Sequence, residues 1–481
     1  MSGIDGAGMM KERNNFCRFF TSRMREDFFL PRDHGRRLSL PEVRRIVRDF
    51  VATRDLLPRT SLYFNFPLCA ARCRICNASA ARSLQAIEQA ACRAVTQIDA
   101  YARLFKDVEF QRVCLHNGRY LVLSEKLMEE ILGGLVKKFR VVADAEYLCE
   151  AIPFLLTKGK LRLLRDLGWD SISLGIQSLD TVALENIARP QTAQLVFGAI
   201  ESIRSSGFRH LNVDLIAGLP GEDALTFAGN IRRILAYAPD AVTIYPFVPE
   251  SCFLEGKNET LLKDFLRHRQ EALMSAGAAL VSAGYEKKGL LHFVSKNCRR
   301  KKIETVECVD GFLSGETKIG IGGQTYLDGI SMFEYARLKG TEHGFYGMDI
   351  GVEDGMYIYL KQYFLSGVMK KDFYIKFGCD VEKVFEAELL YLRGKGRVID
   401  RGSYFVYKGI QDDEGWFEYF SDMKLFMAPA RLSQFAEQWR AEFFKGIEYS
   451  YAENGGWKRF HDFQFATRMV SGLIGADEGE P

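Results

Sequence analysis

At 481 residues the chain is too long for one ordinary core and long enough for a large catalytic domain with appendages. Its 47% hydrophobic and 26% charged residues, with no low-complexity tract or internal repeat, exclude collagen-like and repeat architectures and confine disorder to the ends. A formal charge of +3 gives no argument for a nucleic-acid partner, and no apolar run of about 18 residues is present to span a membrane.

The first residues are locally basic, with Arg18, Arg23, Arg25, Arg36, Arg37, Arg44, Arg45 and Arg48, which reads as a solvated surface. They do not read as a secretory signal. Eleven cysteines, odd in number and unevenly spread, fit a reducing compartment better than a disulfide framework, so a cytoplasmic location is expected. Residues 1–57 form an N-terminal helical extension in this reading, with a helix over Leu40–Thr53. From Ser61 onward, short β-rich runs alternate with helical patterns, the mark of successive βα units and a parallel sheet. The strands are expected at 61–66, 108–116, 141–150, 171–176, 210–216 and 241–247. The helices between them are expected at Leu84–Leu104, Ser124–Phe139, Thr157–Leu167, Thr192–Ser205 and Ala224–Ala236. Ser124, Thr157 and Thr192 are placed as N-caps, and Gly168 and Gly207 at helix ends. Six such units make an open partial barrel or a doubly wound sheet over 58–250, and both bind ligands at the carboxyl ends of their strands. A long helix over Asn258–Ala283 then leads into a β-rich extension (251–350), and "DVEKVFEAELLYLRGKGRVIDRGSYFVYKG" in the tail (351–481) predicts a helix, a turn and a hairpin, an α+β, winged-helix-like cap.

One such carboxyl end carries "LCAARCRIC". Cys69, Cys73 and Cys76 form a C-x3-C-x2-C pattern, and three thiolates on a tight loop can hold three irons of a cubane cluster, leaving the fourth open to an outside chelator. A zinc knuckle is the alternative, but structural zinc wants four ligands, and no second C-x2-C pair exists. Cys298 and Cys308, ten residues apart with no further pair, do not make a metal site. The remaining cysteines read as small buried hydrophobes.

The pattern and its surroundings resemble the radical S-adenosylmethionine (SAM) superfamily. "LYFNFPLC", "CEAIPFLLTKGKLRLLRDLGWDSISLGIQSLD", "ARPQTAQLVFGAIESIRSSGFRHLNVDLIAGLPGE" and "KIGIGGQTYLDG" are similar, in order and spacing, to the oxygen-independent coproporphyrinogen oxidase (HemN-like) branch. The resemblance implies a partial (β/α)6 barrel with a [4Fe-4S] cluster on Cys69, Cys73 and Cys76, and one or two molecules of SAM. It implies SAM contacts from Tyr63, Glu150, Gln177, Arg189 and Asp214, with the backbone around Ile321 passing close to the adenine. No residue is assigned a catalytic role.

Two departures from the branch stand out. Where the family carries "GGGTPT" after its second strand, this chain has His116, Asn117, Gly118, Arg119, Tyr120 and Leu121. Only Gly118 is retained, so either His116 or Arg119 joins the pocket or SAM binding weakens. Second, the extra cysteine of the namesake oxidases falls on Ala78, which argues against their reaction. The resemblance therefore implies 5′-deoxyadenosyl radical chemistry for methyl or methylene transfer or carbon–carbon bond formation on an aromatic, tetrapyrrole or natural-product substrate. A flavodoxin or ferredoxin is the implied electron donor. The alternatives are a heme chaperone or degenerate homologue without radical chemistry, oxidative decarboxylation as in the coproporphyrinogen dehydrogenases, and a zinc-structured scaffold.

Overall fold

The structure is a computed structural model that describes residues 36–53, 60–76, 79–81, 83–247, 259–287, 292–298, 317–322, 324–327, 330–336, 343–349, 352–364, 367–408 and 422–423. Arg18, Arg23, Arg25, Ala78 and Cys308 lie outside them. Two compact units divide the chain. One is built on Leu30–Phe247 and His268–Asp349, the other on Ile350–Pro481 with Met1–Phe29 and Val248–Arg267.

The first unit is organised by a single 13-stranded sheet. Its strands, in chain order, include β1 (Arg36–Leu38) and β2 (Thr60–Asn65). Two short strands outside that sheet, β3 (Leu68–Cys69) and β4 (Ser79–Ala80), pair only with each other. The sheet continues with β5 (Glu109–His116), β6 (Arg140–Ala151), β7 (Ser171–Gln177), β8 (His210–Ala217) and β9 (Ala241–Pro246). Then follow β10 (Tyr285–Lys287), β11 (His292–Ser295), β12 (Thr317–Ile321), β13 (Gln324–Leu327), β14 (Ile330–Ala336) and β15 (His343–Asp349). The six expected strands run parallel in the order β2-β5-β6-β7-β8-β9. A seventh parallel strand, β12, pairs with the free edge of β2, opposing Ile321 to Phe64. Antiparallel strands flank this run, with β11 and β10 beyond β9 and β13, β14, β15 and β1 beyond β12.

The expected helices are found at Leu84–Leu104, Glu125–Lys138, Lys158–Asp166, Ala193–Ser205 and Ala224–Leu235, and the long helix at Glu259–Ser282. Ser124, Thr157 and Thr192 each accept a hydrogen bond from the amide three residues on, satisfying a donor that the first helical turn leaves unpaired. Gly168 (φ 106°) and Gly207 (φ 77°) adopt the left-handed backbone that ends the preceding helices. The helix Leu40–Thr53 buries Val43, Ile46, Val47 and Phe50 and leaves Arg44, Arg45 and Arg48 exposed. A helix missing from the sequence reading, Thr181–Asn186, starts at Asp180, whose side chain accepts from Ala183 N.

In the second unit, helices Lys370–Phe377, Val381–Val384 and Glu386–Gly394 lie in the chain between the first and the last two strands of a three-stranded antiparallel sheet, ordered β16 (Val368–Met369), β18 (Tyr404–Tyr407), β17 (Val398–Asp400). That is the α+β arrangement expected of the tail. Its core is aromatic, with Phe364, Phe373 and Phe405 fully buried and Phe364 meeting Phe405 edge to face at 5.7 Å.

Candidate functional site

The cysteines follow β2 at the carboxyl end of the parallel run. β3 and β4 pair in parallel, and Ala81 N donates to Cys69 O at 2.8 Å, closing the loop between them. Inside it Cys76 N donates to Cys73 O at 3.2 Å. Arg74 fastens the loop from outside: its amide donates to Ile187 O at 2.9 Å and its guanidinium to Asn186 O at 3.3 Å. Each sulfur has different surroundings. Cys69 is buried against Ile152, Phe154 and Leu155. Cys73 is buried with Arg189 Nη1 at 4.0 Å, and Cys76 is exposed with Arg119 Nη2 at 3.9 Å. Burial pushes the Cys73 thiol up, and the Arg189 charge opposes it.

Among the described residues no group of three or more His, Cys, Asp or Glu converges tightly enough to hold a single ion. A cubane makes a different demand, because it seats each thiolate on its own iron and takes ligands that stand further apart. Three thiols on one closed loop, two of them buried and two facing a guanidinium, fit such a cluster in number and charge.

The departing loop after β5 is folded tightly onto the end of β6. Asn117 and Gly118 both take φ 63°, and a Cβ on Gly118 would meet Ile152 Cγ1 at 3.0 Å and Ala151 backbone at 3.1 Å. Glycine takes this left-handed backbone at little cost, and a side chain would crowd Ala151 and Ile152. Glu150, at that same strand end, is already engaged: His116 Nδ1 lies 2.8 Å from Oε1, and Asn117 N donates to Oε2 at 2.6 Å. Tyr120 donates to Glu150 O at 2.9 Å, and Lys160 Nζ donates to Leu121 O and, at 3.3 Å, to Leu155 O. Tyr63 meets the His116 ring edge-on, with centroids 6.4 Å apart.

Arg189 is buried, and its donors are divided: Nε to Gln191 Oε1 at 2.9 Å, Nη2 to Gly175 O and Nη1 toward Cys73, while the plane lies over Phe154 at 5.5 Å. Gln177 ends β7 at φ 71° after a break in register, and a Cβ on Gly175 would lie 3.0 Å from its Nε2. Asp214 belongs to a hydrogen-bonded network that crosses four strands, β7, β8, β9 and β11. Ser173 donates to Oδ2 at 2.7 Å and Asn212 to Oδ1 at 2.8 Å; Thr243 donates to Asn212 Oδ1 at 3.1 Å and lies 3.0 Å from His292 Nδ1. Burial and the nearby Glu150 charge raise Asp214 to about 7 against the pull of its donors, and burial lowers His292 to about 4. Ile321 is fully buried in the core, so its backbone is what it offers. The next residue, Gly322 (φ 77°), has no room for a side chain, since a Cβ would sit 2.1 Å from Asn65 O.

Tyr63, His116 and Glu150 are thus brought together, Arg189 joins the cysteine loop, and Glu150 lies near enough to Asp214 to raise it. Gln191, Asn212, Thr243 and His292 escaped the sequence reading. A polar residue inside an apolar strand pattern was the available signal for Asn212 and Thr243; for His292, on an antiparallel strand, there was none.

A model of the radical SAM superfamily matches residues 66–233. The chain is 24% identical over 256 residues to the oxygen-independent coproporphyrinogen III oxidase of Paracoccus denitrificans, covering 52% of this chain and 56% of that one. It is also 24% identical over 353 residues to the heme chaperone HemW of Lactococcus lactis, covering 69% and 89%. Among solved structures, the coproporphyrinogen III oxidase HemN of Escherichia coli superposes with a TM-score of 0.65 at 18% identity, over 81% of this chain and 93% of that one. Residues 66–233 form a radical SAM domain, and the chain is HemN-like in sequence and fold. That domain implies a [4Fe-4S] cluster and SAM. The HemN-like chain spans little more than half of the Paracoccus oxidase, and both an oxidase and a chaperone stand among its relatives. No helix among the described residues is long and apolar enough to cross a membrane.

Proposed function

We propose that this HemN-like protein is a radical SAM enzyme whose Cys69, Cys73 and Cys76 hold a [4Fe-4S] cluster. The observation that carries the reading is the closed cysteine loop at the carboxyl end of β2, with Arg189 brought against Cys73. A cluster held there would supply the electron for reductive cleavage of SAM. The chain's own part is to bind, orient and exclude water. Cys69, Ile152, Phe154 and Leu155 form an apolar wall behind the loop. Tyr63, His116, Glu150, Gln177, Arg189 and Asp214 form a polar rim for SAM, which Gly118 and Ile321 edge with backbone. Because Glu150 already accepts from Asn117 N and pairs with His116, the imidazole Nε2 of His116 takes over part of its ligand-facing role. The substrate is a small aromatic, tetrapyrrole or natural-product molecule and the outcome a methyl or methylene transfer or a new carbon–carbon bond, with a flavodoxin or ferredoxin as donor.

The second reading is a heme-binding chaperone. The match to HemW over 89% of its length favours it, as does a Glu150 already engaged by the protein itself. One experiment separates the two. Anaerobically reconstituted protein is incubated with SAM and dithionite, and 5′-deoxyadenosine is quantified alongside iron and sulfide. The enzyme reading expects nucleoside formation that Cys73→Ala abolishes; stoichiometric heme binding with no nucleoside overturns it. Mass spectrometry of products from candidate tetrapyrrole and aromatic substrates then identifies the acceptor.

A further inference from the structure

The three cysteine sulfurs are not equally served. Cys69 sits among apolar side chains, and Cys73 faces a buried guanidinium whose other donors are taken by Gln191 and Gly175. Cys76 is the exposed one, and the cation beside it comes from a different element, the turn Arg119–Val122 that replaces the family's glycine-rich loop. That turn is held on both sides. Gly118 enters it in a left-handed conformation against Ala151 and Ile152, Tyr120 is tied to Glu150 O, and Lys160 is tied to Leu121 O. The Arg119 backbone is therefore fixed where its side chain reaches the Cys76 sulfur, 3.9 Å from Nη2.

We propose that Arg119 is a charge partner of the cluster, which makes a cluster on Cys69, Cys73 and Cys76 easier to reduce; the inference rests on the cluster assignment made under the proposed function. One-electron reduction adds a negative charge shared between the irons and their sulfurs. A cation and an N–H donor at a ligand sulfur stabilise the reduced form more than the oxidised one, which raises the potential. Arg189 also reaches Cys69 and Cys76 with its charge, but its nearest sulfur is Cys73, whereas Arg119 is the donor that approaches the Cys76 sulfur. Cys76 is open to solvent, so the effect is partly screened and depends on salt.

The full chain, its R119Q variant and its R119K variant are reconstituted anaerobically and assayed for iron and sulfide. Each is then titrated potentiometrically with dithionite, and the reduced cluster is followed by electron paramagnetic resonance. R119Q is expected to carry as much iron and sulfide as the parent. At the parent's midpoint its ratio of reduced to oxidised cluster falls about tenfold, which is about 59 mV for a one-electron couple. R119K, keeping the charge, recovers most of that loss, and the gap between parent and R119Q narrows as salt rises. An R119Q midpoint equal to or above the parent's overturns the proposal. Should R119Q take up no iron, the parent decides: its midpoint falls with added salt if Arg119 acts as described, and a salt-indifferent midpoint overturns it. Failure of the underlying reading looks different, since the parent itself then holds no iron and sulfide and both inferences fall together.

Discussion

Replacing Glu150 by alanine removes the acceptor that holds the loop after β5 in place. Two hydrogen bonds end on that carboxylate, one from Asn117 N at 2.6 Å and one with His116 Nδ1 at 2.8 Å. Bonds to a charged group contribute about 1.5–3 kcal/mol each. The Glu150 and His116 side chains are 20% and 31% exposed, so water compensates in part, and two bonds on one carboxylate do not add in full. The expected loss is about 2–3 kcal/mol of local stability, which at about 1.4 kcal/mol per decade is roughly a 30- to 150-fold rise in loop opening. Hydrogen exchange of the Asn117 amide reads it directly, because that amide's partner is the deleted oxygen. Glu150→Gln keeps one acceptor oxygen and is expected to speed exchange by about tenfold or less. Tyr120 bonds to the backbone of residue 150, so its anchor survives both changes. If the Asn117 amide exchanges at the parental rate in Glu150→Ala, the loop is held by something else and the assignment of Glu150 as its lock is wrong.

Gly322→Ala combines a positive φ with a Cβ 2.1 Å from a backbone oxygen, a clash no rotamer change relieves, and should cost about 3 kcal/mol or more. Its counterpart Gly229→Ala, in a helix with open space around the site, should stabilise by up to about 1 kcal/mol; similar thermal midpoints for the two variants would contradict this. For Asp214, at about 7 in the folded chain against an ordinary value near 4, the folded state keeps a proton that the unfolded chain has released between those limits. Stability therefore falls as pH rises through that window, by at most about 1.4 kcal/mol per pH unit for the one group. Urea midpoints from pH 5 to 8 should slope less in Asp214→Asn than in the parent, and equal slopes would rule the assignment out. His292, lowered to about 4, works in the opposite direction, with stability falling as pH drops from about 6.5 toward 4, a loss that His292→Gln should remove. Glu222, raised to about 7 by burial, accepts from Ser178 at 2.7 Å and from Asn230 at 2.6 Å on a single oxygen. Glu222→Gln should thus be tolerated and should raise stability most above pH 7; a loss of folded protein at pH 8 would count against it.

The parallel run was legible because β2 and β5 to β9 are short apolar segments divided by helices with side-chain caps, and both signals are local. The cysteine loop was legible for the same reason, its spacing being its chemistry. The insertion of β12 beside β2 was not, since the parallel pairing of Ile321 with Phe64 joins segments far apart in the chain and neither segment carries its partner's register. Nor was the capture of Glu150 by Asn117, because a backbone amide is the donor and composition carries no trace of it. Arg119 was visible as a bulky residue in an expected glycine loop, while its position at Cys76 depends on two successive left-handed residues and on anchors from Tyr120 and Lys160.

The seam between β2 and β12 has a consequence for how the molecule is made. The strand that carries the cysteine loop acquires its outer neighbour only after roughly 250 further residues have been synthesised, which at about 5–20 residues per second takes on the order of 13–50 s. During that interval a nascent β2 presents a bare row of backbone donors and acceptors on one side, a surface that other unfinished chains can pair with. Slowing translation between residues 100 and 317 should therefore lower the yield of soluble protein more than the same delay placed after residue 322.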